Sequence, residues 1–268
     1  MKLTKIILVI SGLFIVNVQA EEMCFIAMNA NTGEIVAKKG TICDTRISPM
    51  STFKIPISLM GFQSRVLQDE THPEWAYQPR PDGIEVDKEK QIPYTPKTWM
   101  AESIVWYSQA LTPKIGEANF KRFVEQFDYG NKDISGDKGK GNGLTNAWLS
   151  SSLKISPYEQ LVFLRKIVNR KLPLTPHTYE MTQNILYVDD IEGGWKYYGK
   201  TGKGEEFNAD GTPNMDKQFG WFVGWIQKGD HKTVFAFNMK DAKAVPSMKE
   251  RQMIAKAYLK EFGLLQEF

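Results

Sequence analysis

The chain has 268 residues with 34 Lys and Arg against 31 Asp and Glu, a formal charge of +3. That near-balance lacks the basic footprint of a nucleic-acid binder, and the three histidines (His72, His177, His231) are too scattered to hold a metal. The two cysteines, Cys24 and Cys43, are compatible either with a disulfide across an early hairpin or with two buried thiols.

The first twenty residues read as an export signal. Lys2 and Lys5 form a basic start, residues 6–16 an apolar middle, and Val18-Gln19-Ala20 a small-residue cleavage site. Ser11, Gly12 and Asn17 interrupt the apolar run, so cleavage is expected rather than retention as an anchor, with no membrane contact afterwards. Residues 21–268 then form one catalytic domain: a sheet part from about 21–50 and 190–268, and a helical part from about 60–185.

Residues 23–28 and 34–38 predict two strands around the turn Asn29-Ala30-Asn31-Thr32-Gly33. A helix is predicted to open at Ser51, where Ser51-Thr52-Phe53-Lys54 leads into Ile55, Ile57, Leu59 and Met60. Residues 73–98 are broken by prolines and read as loop, and 132–143 as a Gly/Lys-rich loop. Helical periodicity marks 100–111, 118–127 and 157–168. The period then switches to two over 196–203, 219–227 and 233–238, with Asp210-Gly211 and Gly229-Asp230 as turns. A last helix carries Met253, Ile254, Ala257, Tyr258 and Phe262 on one face. Strands at both chain ends with helices between predict an α+β fold, one antiparallel sheet with an inserted helical part.

The chemistry begins at Ser51 and Lys54. One helical turn apart, they place an amine beside a hydroxyl that is a poor nucleophile until a base takes its proton. A buried lysine can serve as that base, because desolvation disfavours its ammonium form. Taken alone, the pair is an N-cap serine followed by a surface lysine. In the same way Ser103 alone is a helix-surface serine, Trp148 a core tryptophan, Tyr129-Gly130-Asn131 a helix end and Lys200-Thr201-Gly202 a strand end.

In chain order these motifs resemble the penicillin-recognising serine enzymes, whose signature is S-x-x-K, a downstream serine motif and K-T-G. The middle motif is Ser103-Ile104-Val105, with Val where class A enzymes have Asn. Ser51 to Ile55, Tyr129-Gly130-Asn131, Ala147-Trp148-Leu149, Leu153-Lys154-Ile155-Ser156, residues 219–225 and Phe235-Ala236-Phe237-Asn238 are similar to class D, oxacillinase-type serine β-lactamases. The likeness spans essentially all of residues 21–268. It implies the β-lactamase/D,D-peptidase α/β/α sandwich, a periplasmic location and hydrolysis of penicillin-type β-lactams, conferring antibiotic resistance.

The resemblance also implies roles. Ser51 is the nucleophile, and Lys54, carboxylated by carbon dioxide or bicarbonate, is the base, with no other cofactor. Trp148 N–H steadies the carbamate, while Val105, Leu149 and Phe53 keep the pocket dry. Ser103 relays a proton to the lactam nitrogen, helped by Lys200. Lys200 and Thr201 hold the substrate carboxylate, and Gly202 leaves room for substrate. The backbone N–H groups of Ser51 and Lys203 form the oxyanion hole, one such donor being worth about 3 kcal/mol of barrier. No arginine can be assigned to the carboxylate from residues 244–251, so Lys200, Thr201 and Ser247 are left to hold it. Trp99, Met100 and residues 203–207 are the expected pocket walls. A monomer and a homodimer stay equally open.

Three rivals are weaker. Gly194 to Thr201 fits the phosphate-loop pattern G-x-x-x-x-G-K-[ST], but Trp195, Tyr197 and Tyr198 fill positions where backbone must curl round phosphate. A D,D-peptidase or a β-lactam sensor would use the same serine and lysine without rapid turnover. Val105, Trp148 and the compact length favour the hydrolase.

Overall fold

In the computed structural model, which describes residues 22–266, the chain starts with strands β1 (Glu22–Asn29) and β2 (Ile35–Gly40). The expected leader lies outside the described residues. Helices follow as α1 (Lys54–Gln63), α2 (Pro96–Glu102), α3 (Val105–Ile115), α4 (Glu117–Phe127), α5 (Gly143–Asn146), α6 (Pro157–Val168) and α7 (Pro176–Ile185). The chain then returns to strand as β3 (Tyr187–Ile191), β4 (Trp195–Phe207), β5 (Pro213–Lys228) and β6 (His231–Ala242), and closes with α8 (Met248–Glu261). The order across the six-stranded sheet is β2-β1-β6-β5-β4-β3, and every pairing is antiparallel. β1 lies against β6, with Phe25 opposite Phe237, so the two ends of the chain build one sheet.

Alternation along the strands divides the interior into two layers. In β1, Cys24, Ile26 and Met28 face the helices α1–α7, while Phe25 and Ala27 face α8. β5 repeats the pattern: Trp221, Val223 and Trp225 point to the larger core, Phe222 and Ile226 to the smaller. Burying both faces explains why these strands are nearly continuous apolar runs. Among the described residues no helix is long and apolar enough to cross a membrane.

Cys24 and Cys43 form a disulfide, which settles the open alternative and ties β1 to the loop that leads toward Ser51. Two further differences bear on the site. The segment around Ser51 is a 3-10 turn, Met50–Phe53, and regular α-helix begins only at Lys54. The predicted helix 100–111 is instead two helices, α2 and α3, broken at Ser103. The helix α7, with Thr175 as cap and Pro176 at its first position, and the short edge strand β3 were not anticipated.

Candidate active site

The turn that carries the expected nucleophile Ser51, the nucleophile turn, is held from behind by hydrogen bonds to backbone. Ile47 pairs with Ile155, Ser48 Oγ donates to the Trp148 carbonyl at 2.7 Å, and Met50 N–H donates to the same carbonyl at 3.0 Å. Trp221 Nε1 adds a bond to the Ser48 carbonyl at 2.9 Å. These contacts force Met50 into the left-handed region (φ 49), a conformation costing a non-glycine residue about 1 kcal/mol or more. The reversal there presents Ser51 at the start of a helix. The N–H groups on either side are taken, Met50 by Trp148 and Thr52 by the Pro49 carbonyl, and Ser51 N–H, at the helix start, has no backbone partner among the described residues.

Lys54 is fully buried, and its Nζ donates to Ser51 Oγ at 3.1 Å. Burial drives its pKa well below the usual lysine value, and the charges of Lys200 and Arg80 push the same way. The residue beside it, Phe53, is packed among rings. Phe53 stacks on Trp148 with centroids 5.5 Å apart and meets Tyr129 and Phe120 edge-on. Trp148 is itself fully buried, and its Nε1 has no hydrogen-bond partner among the described residues. An orphaned indole N–H normally costs about 1–3 kcal/mol, so an acceptor is expected at that spot.

Ser103 corrects the reading of a continuous helix. It is the C-cap of α2 in left-handed conformation (φ 61), its N–H bonded to the Trp99 carbonyl. This break turns the hydroxyl toward the sheet, where Lys200 Nζ donates to it at 3.0 Å and to the Thr201 carbonyl at 3.2 Å. Val105, the first residue of α3, is half-buried and shares a cavity wall with Ser103 and Arg80. Leu149 is half-buried and packs on the main core. Trp99 is no pocket wall: it is buried, stacks on Tyr107 and donates to Ser108 Oγ at 3.0 Å.

Lys200 and Thr201 are both 3% exposed, in the middle of β4. Burial first, and then the charge of Arg251, lowers Lys200 to about 7. One edge of β4 pairs with β5 throughout, but the other meets β3 only through residues 195–198. Gly199 N–H donates across that side to the Leu186 carbonyl at 2.9 Å. Since N–H directions alternate and no register shift intervenes before Glu205, the N–H groups of Thr201 and Lys203 fall on the same edge, where no strand covers them. Lys203 therefore offers a backbone donor while its side chain is exposed. Gly202 also matters to packing. A Cβ there would sit 3.0 Å from the Pro49 carbonyl and 3.3 Å from Thr52 Cγ2, so its smallness lets β4 close on the nucleophile turn.

Sequence reasoning missed a second tie between these elements. Ser150 Oγ donates to the Glu205 carbonyl at 2.8 Å and contacts Met50 Sδ at 3.4 Å, joining the loop after α5 to β4 and to the nucleophile turn. It also missed Arg80, held by both carboxylate oxygens of Asp82, which Gln109 of α3 braces at 3.0 Å. Neither lies in a recognisable motif. Tyr129-Gly130-Asn131 acts as a buckle: Asn131 Nδ2 donates to the Ser152 carbonyl and its Oδ1 accepts from Lys154 N–H, both at 2.9 Å. Arg251 is buried, clamping α8 to β5 through the carbonyls of Trp221 and Pro246. Ser247 Oγ caps α8 by accepting from Glu250 N–H, and Lys249 is exposed. The phosphate-loop pattern fails on structure as well: Lys200 and Thr201 lie within a strand, and no helix follows.

The site thus joins a serine with a buried amine at 3.1 Å, a second lysine bonded to a second serine, and an uncovered strand edge beside them. Residues 23–262 match the family model of the penicillin-binding protein transpeptidase domain. The chain is 45% identical over 219 residues to β-lactamase OXA-1 of Escherichia coli, covering 81% of this chain and 75% of that one. It is 41% identical over 213 residues to β-lactamase OXA-9 of Klebsiella pneumoniae, covering 80% and 77%. The crystal structure of the class D β-lactamase OXA-427 superposes with a TM-score of 0.81 at 41% identity, covering 91% of this chain and all of that one. Within the transpeptidase-like fold, the chain belongs to the class D β-lactamases.

Proposed function

We propose that the protein hydrolyses the amide of penicillin-type β-lactams, conferring resistance, through an acyl-enzyme on Ser51. The observation that carries this reading is the fully buried Lys54 amine 3.1 Å from Ser51 Oγ. With Lys54 neutral, Ser51 O–H can donate to Nζ across that distance, and the freed oxygen attacks the lactam carbonyl. The oxygen of that carbonyl takes negative charge facing Ser51 N–H and Lys203 N–H. As the C–N bond breaks, Ser103 O–H protonates the leaving nitrogen and is resupplied by Lys200 Nζ at 3.0 Å. Thr201 and Lys200 hold the substrate carboxylate, and Val105 lines the pocket.

The residues present fit a carboxylated Lys54. Its amine is desolvated, as reaction with carbon dioxide requires, and the orphaned Trp148 Nε1 is a donor awaiting an acceptor. Carboxylation of Nζ would put a carbamate oxygen in the place of the free amine as base for both acylation and deacylation. The apolar wall of Phe53, Val105 and Leu149 limits the water that competes for it. The disulfide fits an oxidising compartment, which supports export by the leader at residues 1–20 and residence in the periplasm, as a monomer or homodimer.

The test is steady turnover of a chromogenic penicillin with and without bicarbonate, alongside Ser51→Ala and Lys54→Ala. Turnover is expected to rise with bicarbonate. Ser51→Ala should give no adduct by mass spectrometry, and Lys54→Ala should accumulate one and fail to clear it. A single stoichiometric burst by the unchanged protein would instead identify a peptidase or sensor. Rapid cycling by Lys54→Ala would remove the base assignment.

A further inference from the structure

We propose that Gln160 of α6 is a positioning residue for the acylation step: without touching substrate, it fixes, through Thr52, the turn that presents Ser51. The inference rests on the hydrolase reading and deepens it.

The turn needs a hold from outside. Met50–Phe53 is a 3-10 segment, whose hydrogen bonds are poorer than those of an α-helix, and it has no side-chain cap. Thr52 stands between Ser51 and Phe53 and is fully buried. Its N–H and its Oγ1 both donate to the Pro49 carbonyl, at 3.1 and 2.7 Å. With that proton committed, Oγ1 is left as an acceptor, and Gln160 Nε2 donates to it at 3.1 Å. The same Nε2 donates to Tyr129 OH at 3.2 Å. Burial keeps that phenol protonated, and its ring meets Phe53 edge-on, the ring that stacks on Trp148. One amide therefore steadies both the turn and the rings behind it.

Gln160 is itself well fixed. It is 1% exposed and lies near the start of α6, which the Ser156 and Glu159 capping box defines. Glu159 accepts from Arg46 Nε at 2.9 Å, and Ile155 pairs with Ile47. Residues 155–160 thus grip residues 46–52 at three places, and of these three the Gln160 tie alone reaches the turn itself. Stability does not account for an amide at this place. Its Oε1 is buried with no partner among the described residues, a cost that a leucine of similar size would not carry. What its two donors supply is a fixed orientation of Thr52 and Tyr129.

The test is a double-mutant cycle on acylation by a chromogenic penicillin. Enzyme in varied excess gives single turnovers that separate binding from the chemical step. The variants are Gln160→Leu, Thr52→Val and the two combined, which keep shape while removing the amide, the hydroxyl or both. Each should lower the acylation rate constant about tenfold, since a misplacement of about 1 Å can cost about a hundredfold. The dissociation constant of the complex should stay within about twofold, because the carboxylate is held elsewhere, by Lys200 and Thr201. The double variant should be no slower than either single one, as expected for residues acting through one bond. Thermal melts check folding. Where a single variant fails to fold, the double variant, with neither partner of the bond left behind, carries the comparison. A double variant that acylates within about twofold of the unchanged protein makes the bond structural only and overturns the proposal. Losses that multiply in the double variant also overturn it, as does a loss that falls on the dissociation constant instead. An unchanged protein that is never acylated removes the hydrolase reading, and this role with it.

Discussion

Two buried lysines share this site, and the proposed mechanism asks opposite things of them. Lys200 is useful as a cation for the carboxylate, Lys54 as a neutral amine. Both are desolvated, so partners decide where the proton stays. Lys200 Nζ has two acceptors, Ser103 Oγ and the Thr201 carbonyl, while Lys54 Nζ has Ser51 Oγ alone and feels the charges of Lys200 and Arg80. The sign of the pH effect follows. A lysine is charged below its pKa, so the free protein loses the Lys200 charge as pH rises through about 7. Once substrate is bound, its carboxylate favours the charged form and moves that titration upward. The expected result is an alkaline limb with a midpoint near 7 in kcat/KM that is absent from kcat over the same range. Profiles of the two constants that fall together would assign the limb to the chemical step and not to carboxylate binding.

The elements around these residues work as a clamp. The nucleophile turn, the loop after α5 and β4 come from chain segments about fifty residues or more apart, and Ser150 in that loop touches the other two. Ser150→Ala should cost about 1 kcal/mol of stability, a few degrees of melting temperature, by deleting the bond to Glu205. It should lower kcat about tenfold, because Ser51 and Lys203 N–H then lose part of their shared frame. Melting curves and steady-state kinetics check this, and an unchanged kcat would mean that the bonds to the Trp148 carbonyl suffice. None of this clamp was legible beforehand, since serines and backbone carbonyls carry no periodic signal. The large pattern was legible. The strand readings at 219–227 and 233–238 located β5 and β6, and ordered motifs singled out Ser51, Lys54, Ser103, Trp148 and Lys200. Ser103 was found by motif but misplaced by periodicity, because residues 100–111 keep an apolar helical rhythm across the break. A serine in left-handed conformation has no signature of its own, and the tertiary bond to Lys200 accompanies the turn. β3 escaped notice because Asp189 and Asp190 interrupt its short apolar run at the sheet edge.

At the scale of the whole molecule, the sheet separates two cores, and the site lies where the larger one meets the uncovered part of β4. That placement predicts how stability and activity divide. The Cys24–Cys43 bridge pins the loop entering the nucleophile turn to β1, closing a separation of 19 residues. In the chain-entropy account a loop of that size is worth about 3 kcal/mol through the unfolded state. Between Cys43 and Ser51, however, the chain is tied independently: Ile47 to Ile155, Ser48 and Met50 to the Trp148 carbonyl, and Ser48 again to Trp221. Geometry at Ser51 should therefore survive loss of the bridge while the folded state weakens. The double variant Cys24→Ala/Cys43→Ala is expected to melt about 6–12 °C lower, yet keep kcat within about twofold at 25 °C. Parallel melting and kinetic measurements decide it. A kcat that collapses while the melting temperature holds would make the disulfide a positioning element of the active site, and the backbone ties around Ser48 insufficient without it.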